Sequence, residues 1–199
     1  MTSKYLLLLC LFSIAFSEVN GHFLFGPSPD ILPAEDVSDE CKQMAKEGIC
    51  EYWNCFIDRW RCSGSHNFQE KSAKRYCENL RQNYAKFDDE GKRFVNESIK
   101  CLMRKFLPKY NADTNQCFAL EQFGEKEHPK CNLNYGFCTA VKTNAISAMR
   151  HAYGASDTLQ LFKTLSLCVK QGIIVSVWEL LVKIVPGLSN FMQLPHQSR

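Results

Sequence analysis

The sequence predicts an all-α fold, a disulfide-stapled bundle of about six to eight helices. From Asp39 onward the apolar residues recur at spacings of three and four, and few stretches alternate with period two. Beyond the same residue, no Asn-Gly or Asp-Gly hairpin turn separates apolar runs. The third observation is the cysteine content, eleven cysteines in 199 residues. A chain of this length favours one domain over two.

The first 17 residues have the pattern of a signal peptide. Lys4 precedes an apolar run from Tyr5 to Ile14, and Ala15-Phe16-Ser17 has the small residues of a cleavage site. The alternative is a membrane anchor, but this run has ten residues and a span needs about 20. We therefore expect residues 1–17 to be removed as a signal peptide. The mature protein is expected to be secreted and extracellular, without stable insertion in a membrane.

Residues 18–38 are predicted to form a flexible leader. Three prolines lie there among small and acidic residues, namely Pro27, Pro29 and Pro33. A recognition segment is the alternative to a disordered end. The helical domain is predicted to cover 39–199.

Four elements are expected at the start of that domain. Ser38 or Asp39 caps a first helix that runs toward Gly48. A second short helix covers about 50–60, a loop covers 61–68, and a polar helix covers 69–86.

The clearest helix is predicted over 87–107. One face carries residues spaced four and three apart, namely Phe87, Gly91, Phe94, Ser98 and Leu102. Glycine at position 91 costs helix propensity, so we expect it to mark a close contact between helices. Pro108 is expected to end the helix. Further helices are predicted over 113–125, 130–152 (with a break near Gly136) and 157–171.

Segment 173–185 is unusually apolar. Ten of its thirteen residues are apolar, and the polar ones form one narrow helical stripe: Ser176, Glu179 and Lys183. A membrane span would be longer, and a β-strand would be shorter. A helix covered on most sides fits best, either in the core or at a subunit interface. We favour the interface, and with it a noncovalent homodimer through 173–185.

Charge and motifs argue against several function classes. Lys+Arg 24 against Asp+Glu 21 gives +3, too mild for nucleic acid or an anionic membrane as the main partner. The chain has no Gly-rich phosphate loop, G-x-S-x-G, C-x-x-C or H-E-x-x-H, and a calcium loop around Gly91 would begin with Lys86. The histidines are scattered singly: His22, His66, His128, His151 and His196. No catalytic, cofactor-binding or metal-ligating residue is predicted.

Removal of the signal peptide would also remove Cys10. The remaining ten cysteines, an even number, predict five bridges whose pairing the spacing alone does not choose: Cys41, Cys50, Cys55, Cys62, Cys77, Cys101, Cys117, Cys131, Cys138 and Cys168. The sequon Asn96-Glu97-Ser98 predicts a glycosylation site at Asn96.

The stretch from Tyr76 to Cys101 resembles the signature of the stanniocalcins. It carries Ala85-Lys86-Phe87-Asp88, Gly91-Lys92, Phe94-Val95, Glu97-Ser98 and Ile99-Lys100-Cys101. Cysteine steps of 9, 5, 24, 16, 14 and 7 residues also agree with that family, so the resemblance covers about 41–194. Stanniocalcins are secreted, disulfide-rich, mostly helical glycoprotein hormones.

The resemblance implies a particular disulfide pairing. Carried over by position, the pairs are Cys41–Cys55, Cys50–Cys77, Cys62–Cys117, Cys101–Cys131 and Cys138–Cys168. Stanniocalcins also carry a cysteine near the C-terminus that links two subunits, and this sequence has none after Cys168. A covalent homodimer through that cysteine is therefore not expected. The family's glycosylation site lies near the fourth cysteine, so its role does not transfer to Asn96.

The resemblance also implies a function. Family members act in calcium and phosphate balance, and vertebrate members inhibit pappalysin-type metalloproteinases. We expect a non-enzymatic regulator that binds a protein partner, a receptor or a metalloproteinase, through its surface. Candidate contacts are basic residues near the central helix, which otherwise form a solvated face: Lys86, Lys92, Arg93, Lys100, Arg104 and Lys105.

Two other classes are weaker alternatives. A saposin-like lipid-binding module would explain the apolar segment 173–185, although the cysteine ladder disagrees. A secreted phospholipase needs a histidine followed by aspartate, which this sequence lacks.

Overall fold

A computed structural model describes residues 29–63, 67–144, 149, 153, 158–173 and 176–184. In these ranges the protein has eight α-helices and one two-stranded sheet, which confirms the predicted all-α fold. The helices are α1 (Asp39–Glu47), α2 (Tyr52–Arg59), α3 (Arg75–Gln82), α4 (Asp89–Tyr110), α5 (Cys117–Asn134), α6 (Phe137–Asn144), α7 (Thr158–Lys170) and α8 (Val177–Ile184). The strands are β1 (Asp30–Ile31) and β2 (Asn115–Gln116). Predictions for 1–28, His66, His151 and 185–199 lie outside the described residues.

Helix α1 begins and ends where the sequence indicated. Of the two candidate caps, Ser38 is the one used, because its hydroxyl accepts from the Cys41 amide at 3.4 Å. Gly48 ends the helix with φ +77°, a conformation that glycine adopts without steric cost.

Helix α4 is the centre of the molecule. Its predicted face is buried, and Phe94, Val95 and Phe106 have no exposed surface. A Cβ at Gly91 would lie 2.6 Å from the Phe87 ring and 2.9 Å from the amide nitrogen of Asn144. The predicted close contact at Gly91 is therefore confirmed, and its partner helix is α6.

Aromatic side chains fill the space between α2 and α4. Trp53 and Phe56 pack edge-on against Phe106, with ring centroids 5.2 and 5.3 Å apart, and Tyr52 packs against Tyr110 at 5.8 Å. Such edge-to-face pairs add to the stability that burial alone provides.

Two prolines lie inside helices, and one of them, Pro108, was predicted to end its helix. Pro108 lies inside α4, which continues to Tyr110, and Pro129 lies inside α5, where the sequence predicted separate helices over 113–125 and 130–152. Each proline loses one backbone hydrogen bond. Tertiary packing of α4 and α5 against each other, stapled by Cys101–Cys131, offsets that loss. The predicted break near Gly136 is present, with φ +88° between α5 and α6.

The predicted helix over 69–86 is three consecutive elements. A π-helical turn over Gln69–Lys74 leads into α3, and a 3₁₀ turn over Tyr84–Lys86 follows. Phe68, just before the π-helical turn, lies against α5, where a Cβ at Gly124 would be 2.3 Å from its ring.

The C-terminal part of the predicted leader, residues 30–38, is hydrogen-bonded to the helical domain. Strand β1 pairs antiparallel with β2, and the Ala34 amide donates to the Arg59 carbonyl at 2.9 Å. The partner strand lies far along the chain, so no local pattern in 18–38 could indicate it.

Helix α8 packs on α7. Leu181 and Ile184 are buried in the main core, and Val177 and Leu180 pack against it. The core alternative is therefore correct for these side chains, and the noncovalent homodimer through 173–185 stays a prediction.

Candidate interaction surface

Five disulfides hold the helices together. They join Cys41–Cys55, Cys50–Cys77, Cys62–Cys117, Cys101–Cys131 and Cys138–Cys168, with Cα separations of 5.4 to 6.2 Å. These are the same five pairs that the resemblance implied. All ten cysteines from Cys41 to Cys168 are paired, so none of them offers a thiol for a covalent complex.

The six candidate basic residues do not form one surface. Arg93, Lys100 and Arg104 share one side of α4, since steps of seven and four residues return to the same helical face. Arg93 pairs with Glu90 at 2.5 Å, and Arg104 donates to the Lys46 carbonyl at 3.1 Å. We call Arg93, Lys100 and Arg104 the α4 outer face.

The other three candidates lie elsewhere. Lys86 precedes α4 and donates to Asn83 at 2.7 Å. Lys105 contacts Glu127 of α5 at 3.7 Å, on a different side of α4 from Arg104. Lys92 is also rotated away from the α4 outer face, by about 100° from Arg93.

Asn96 lies half-buried on α4, beside α3. Its side-chain oxygen accepts from Arg81 at 2.7 Å, and its amide nitrogen donates to the Tyr84 hydroxyl at 2.8 Å. That nitrogen is the atom to which an N-linked glycan is joined, so a glycan there would replace the contact with Tyr84.

A cleft lies beside the α4 outer face, at the end of α1. Its volume is about 370 Å³, and Arg81 crosses it to donate to the Gly48 carbonyl at 3.1 Å. Three carboxylates line it: Glu47, Glu51 and Glu78. Cationic and anionic side chains therefore lie close together on this side of the molecule, as they do at many protein–protein contacts.

His128 does not have the surroundings of a ligand or a catalytic base. It is 3% exposed, both ring nitrogens lack a hydrogen-bond partner, and its ring lies 4.5 Å from Tyr76. Burial lowers its pKa to about 4, so the ring is neutral near pH 7. Within the described part of the chain, no group of three or more histidine, cysteine or acidic side chains is placed to hold a metal ion.

Sequence reasoning missed Arg59, which links three segments. The residue is 4% exposed, and its guanidinium donates to the carbonyls of Tyr110 at 2.7 Å and Ala112 at 2.9 Å and to the Glu35 carbonyl. Arginine suits this position because its planar fork presents several donors at once. The signal in the sequence is a single cation in a helix that carries three aromatic residues, and this signal does not indicate which groups the cation contacts.

The comparison with known families decides the identity of this fold. The model of the stanniocalcin family matches residues 34–187. The chain belongs to the stanniocalcin family. The match extends the sequence resemblance at its N-terminal end, where Ala34 and Glu35 contact Arg59.

Individual stanniocalcin relatives are distant. The chain is 18% identical to rat stanniocalcin-2 (Rattus norvegicus) over 126 residues, which are 60% of this chain and 43% of the relative. It is 18% identical to human (Homo sapiens) stanniocalcin-2 over 124 residues, which are 59% of this chain and 41% of the relative. It is 20% identical to stanniocalcin-2 of Pongo abelii over 123 residues, which are 56% of this chain and 41% of the relative. The match thus spans about two fifths of these relatives. No solved structure matches the chain.

Among the described residues, the helices are each too short or too polar to cross a membrane.

Proposed function

We propose that this protein is a secreted, hormone-like regulator of the stanniocalcin type. The family match over 34–187 carries the proposal, because it covers the disulfide-stapled helices that form the described core. Five bridges are also typical of chains that fold in an oxidising compartment. The finer roles of the family, in calcium and phosphate balance and in inhibition of pappalysin-type metalloproteinases, are part of the proposal.

The proposal includes maturation and domain limits. Signal peptidase removes residues 1–17, so that the mature chain begins near Glu18. We add the arm 30–38 to the domain assigned to 39–199, since that arm pairs with β2 and is hydrogen-bonded to Arg59. Mass spectrometry of protein collected from culture medium measures the first residue, and retention of the full chain in the cell contradicts secretion.

Action would be by surface binding to a receptor or a metalloproteinase. Paired cysteines support noncovalent contact, since Cys41 to Cys168 contain no free thiol. We assign the contact to the α4 outer face, which the Cys101–Cys131 bridge and the packing of α4 hold in a defined orientation. Pre-organised surfaces lose less entropy on binding than mobile ones.

Inhibition of a pappalysin-type metalloproteinase by the oxidised, full-length protein is the first test. We expect inhibition that reduction of the disulfides abolishes. The double variant Arg93→Gln/Arg104→Gln should inhibit more weakly, while the matched control Lys86→Gln/Lys142→Gln, also on exposed residues, should not change. Absence of inhibition at micromolar protein contradicts this role and favours a receptor-mediated effect on calcium or phosphate uptake, measured on cultured cells.

We also propose glycosylation at Asn96. The mass of secreted protein before and after removal of N-glycans measures it, with Asn96→Gln as the control. An unmodified mass contradicts the proposal and is the result expected if the contact with Tyr84 forms before the glycan is transferred.

A saposin-like lipid-binding role has less support. Its basis was apolar surface on 173–185, and Leu181 and Ile184 are instead buried in the core. Organic extraction of the purified protein followed by lipid mass spectrometry separates the two functions.

A further inference from the structure

Four lysines meet where α4 and α5 pack side by side. The two helices run antiparallel, because Cys101 bonds to Cys131 and Phe106 packs against Phe123, with centroids 5.0 Å apart. Close to these two contacts α4 presents two lysines, one on each side of Phe106, and α5 presents two more between Phe123 and Cys131. We call Lys105, Lys109, Lys126 and Lys130 the lysine patch.

One buried carboxylate organises the patch. Glu127 is 7% exposed, and its carboxylate lies 2.6 Å from the Lys130 nitrogen and 3.7 Å from that of Lys105. Its pKa is lowered by the hydrogen bond from Lys130 and by the charges of Lys130, Lys105 and Lys126. The carboxylate is therefore ionised and fixes two ammonium groups near each other.

A second contact orients Lys109. Its ammonium lies 5.6 Å from the centre of the Phe123 ring, a cation–π arrangement. Within each helix the lysines are four residues apart, a rise of about 6 Å, so each pair lies on one face.

The lysine patch carries more positive charge than the Glu127 carboxylate neutralises. Four lysines against Glu127 leave a local excess of three positive charges. Other acids of α5, Glu121 and Glu125, lie about 120° or more around the helix from Glu127. Lys105 and Lys130 keep 55% and 51% of their side-chain surface exposed, and Lys126 is exposed. An excess of accessible cations on a chain with a total charge of only +3 marks a local anion-binding surface.

We propose that the lysine patch binds a sulfated polysaccharide. Ammonium groups act as point charges that suit repeated sulfates without the planar recognition that arginine provides. Among the described residues, none of the large exposed apolar side chains belongs to α4 or α5, so the helices that carry the patch offer neither an exposed stacking platform for bases nor exposed side chains to insert into lipid. The proposed extracellular location, on which the choice of polysaccharide rests, places the protein among such chains.

Affinity for immobilised heparin tests the proposal on the oxidised, full-length protein. We expect binding at 0.15 M NaCl and elution at higher salt. The double variant Lys126→Gln/Lys130→Gln should weaken binding by roughly an order of magnitude at 0.15 M NaCl. It should also reduce the slope of log affinity against log salt by about two, by analogy with removal of phosphate contacts.

The matched control is Lys86→Gln/Lys142→Gln, which changes the total charge equally on exposed lysines outside the patch. Equal weakening of both double variants, or loss of wild-type binding below 0.15 M NaCl, overturns the proposal. Equal binding to desulfated heparin or stronger binding to phosphatidylserine vesicles also overturns it. Should the double variant melt early, Lys126→Gln alone provides the test, with an expected change in slope of about one. Because the readout is heparin affinity, the result does not depend on metalloproteinase inhibition.

Discussion

Asn144 bonds to both the backbone and the side chain of Asp88. Its amide nitrogen donates to the Asp88 carboxylate at 2.9 Å, and its amide oxygen accepts from the Asp88 backbone N–H at 3.0 Å. The same carboxylate accepts from the Gly91 amide at 2.7 Å and so caps α4. One buried amide on α6 thus fixes the first turn of the central helix.

We expect Asn144→Ala to destabilise the protein by about 1–3 kcal/mol, because it leaves a backbone donor unpaired and weakens the cap. The pKa of Asp88 lies below its ordinary 3.8, chiefly through the bond from Asn144 and then that from Gly91. A lowered carboxyl pKa stabilises the native state above the unfolded value, and this stability is lost as pH falls through the folded value. Urea unfolding at pH 7 and pH 3 should therefore show a smaller acid loss in the variant. The exposed Lys142→Ala on α6 is the control, and an equal effect there contradicts the assignment.

Arg59→Met should cost about 2–4 kcal/mol, because three carbonyl groups lose a charged donor. The arm 30–38 should loosen first, since the Glu35 carbonyl is one of those acceptors. Hydrogen exchange at the Ala34 amide, followed by mass spectrometry, measures this. Arg61→Met, which removes only an exposed pair with Glu35, serves as the control. Unchanged exchange in Arg59→Met would show that β1 and β2 alone hold the arm.

His128 should make the protein sensitive to mild acid. Its folded pKa of about 4 lies below the unfolded 6.5, so stability is fully present above pH 6.5 and falls as pH decreases toward 4. The difference corresponds to roughly 3 kcal/mol. His128→Phe, which keeps an aromatic ring beside Tyr76, should remove most of this dependence in urea titrations at pH 7 and 4.5. An unchanged pH profile would assign the acid sensitivity to other groups.

The stability lost when a single disulfide is removed should increase with the length of the loop that the disulfide closes. Cys62–Cys117 closes 55 residues and Cys41–Cys55 closes 14, so Cys62→Ala/Cys117→Ala should cost about 4 kcal/mol and Cys41→Ala/Cys55→Ala about 3. Thermal and urea unfolding of the oxidised variants measure both. A larger loss for the shorter loop would mean that native packing, rather than unfolded-chain entropy, dominates.

Local patterns in the sequence were sufficient for several elements. The apolar face of α4, the cap of α1 and the break at Gly136 depend on neighbours within about four residues; the face and the break were predicted, and the cap was narrowed to Ser38 or Asp39. The pairs Lys105/Lys109 and Lys126/Lys130 were visible as spacings of four. The two lysine pairs lie side by side only because α4 and α5 pack antiparallel, and the spacing of residues in the sequence does not indicate that packing.

The sequence by itself therefore determined the helical class, the even set of ten cysteines and the family signature from Tyr76 to Cys101. Only the tertiary structure decided that Pro108 and Pro129 stay within helices, that the arm 30–38 is hydrogen-bonded to β2 and Arg59 and that Leu181 and Ile184 enter the core. Helix caps and periodicity come from residues close in the chain. Folding brings together residues that are far apart in the chain, and these provide the partner of a strand, the acceptors of Arg59 and the side chains that bury an apolar face. At such contacts packing outweighs local propensity.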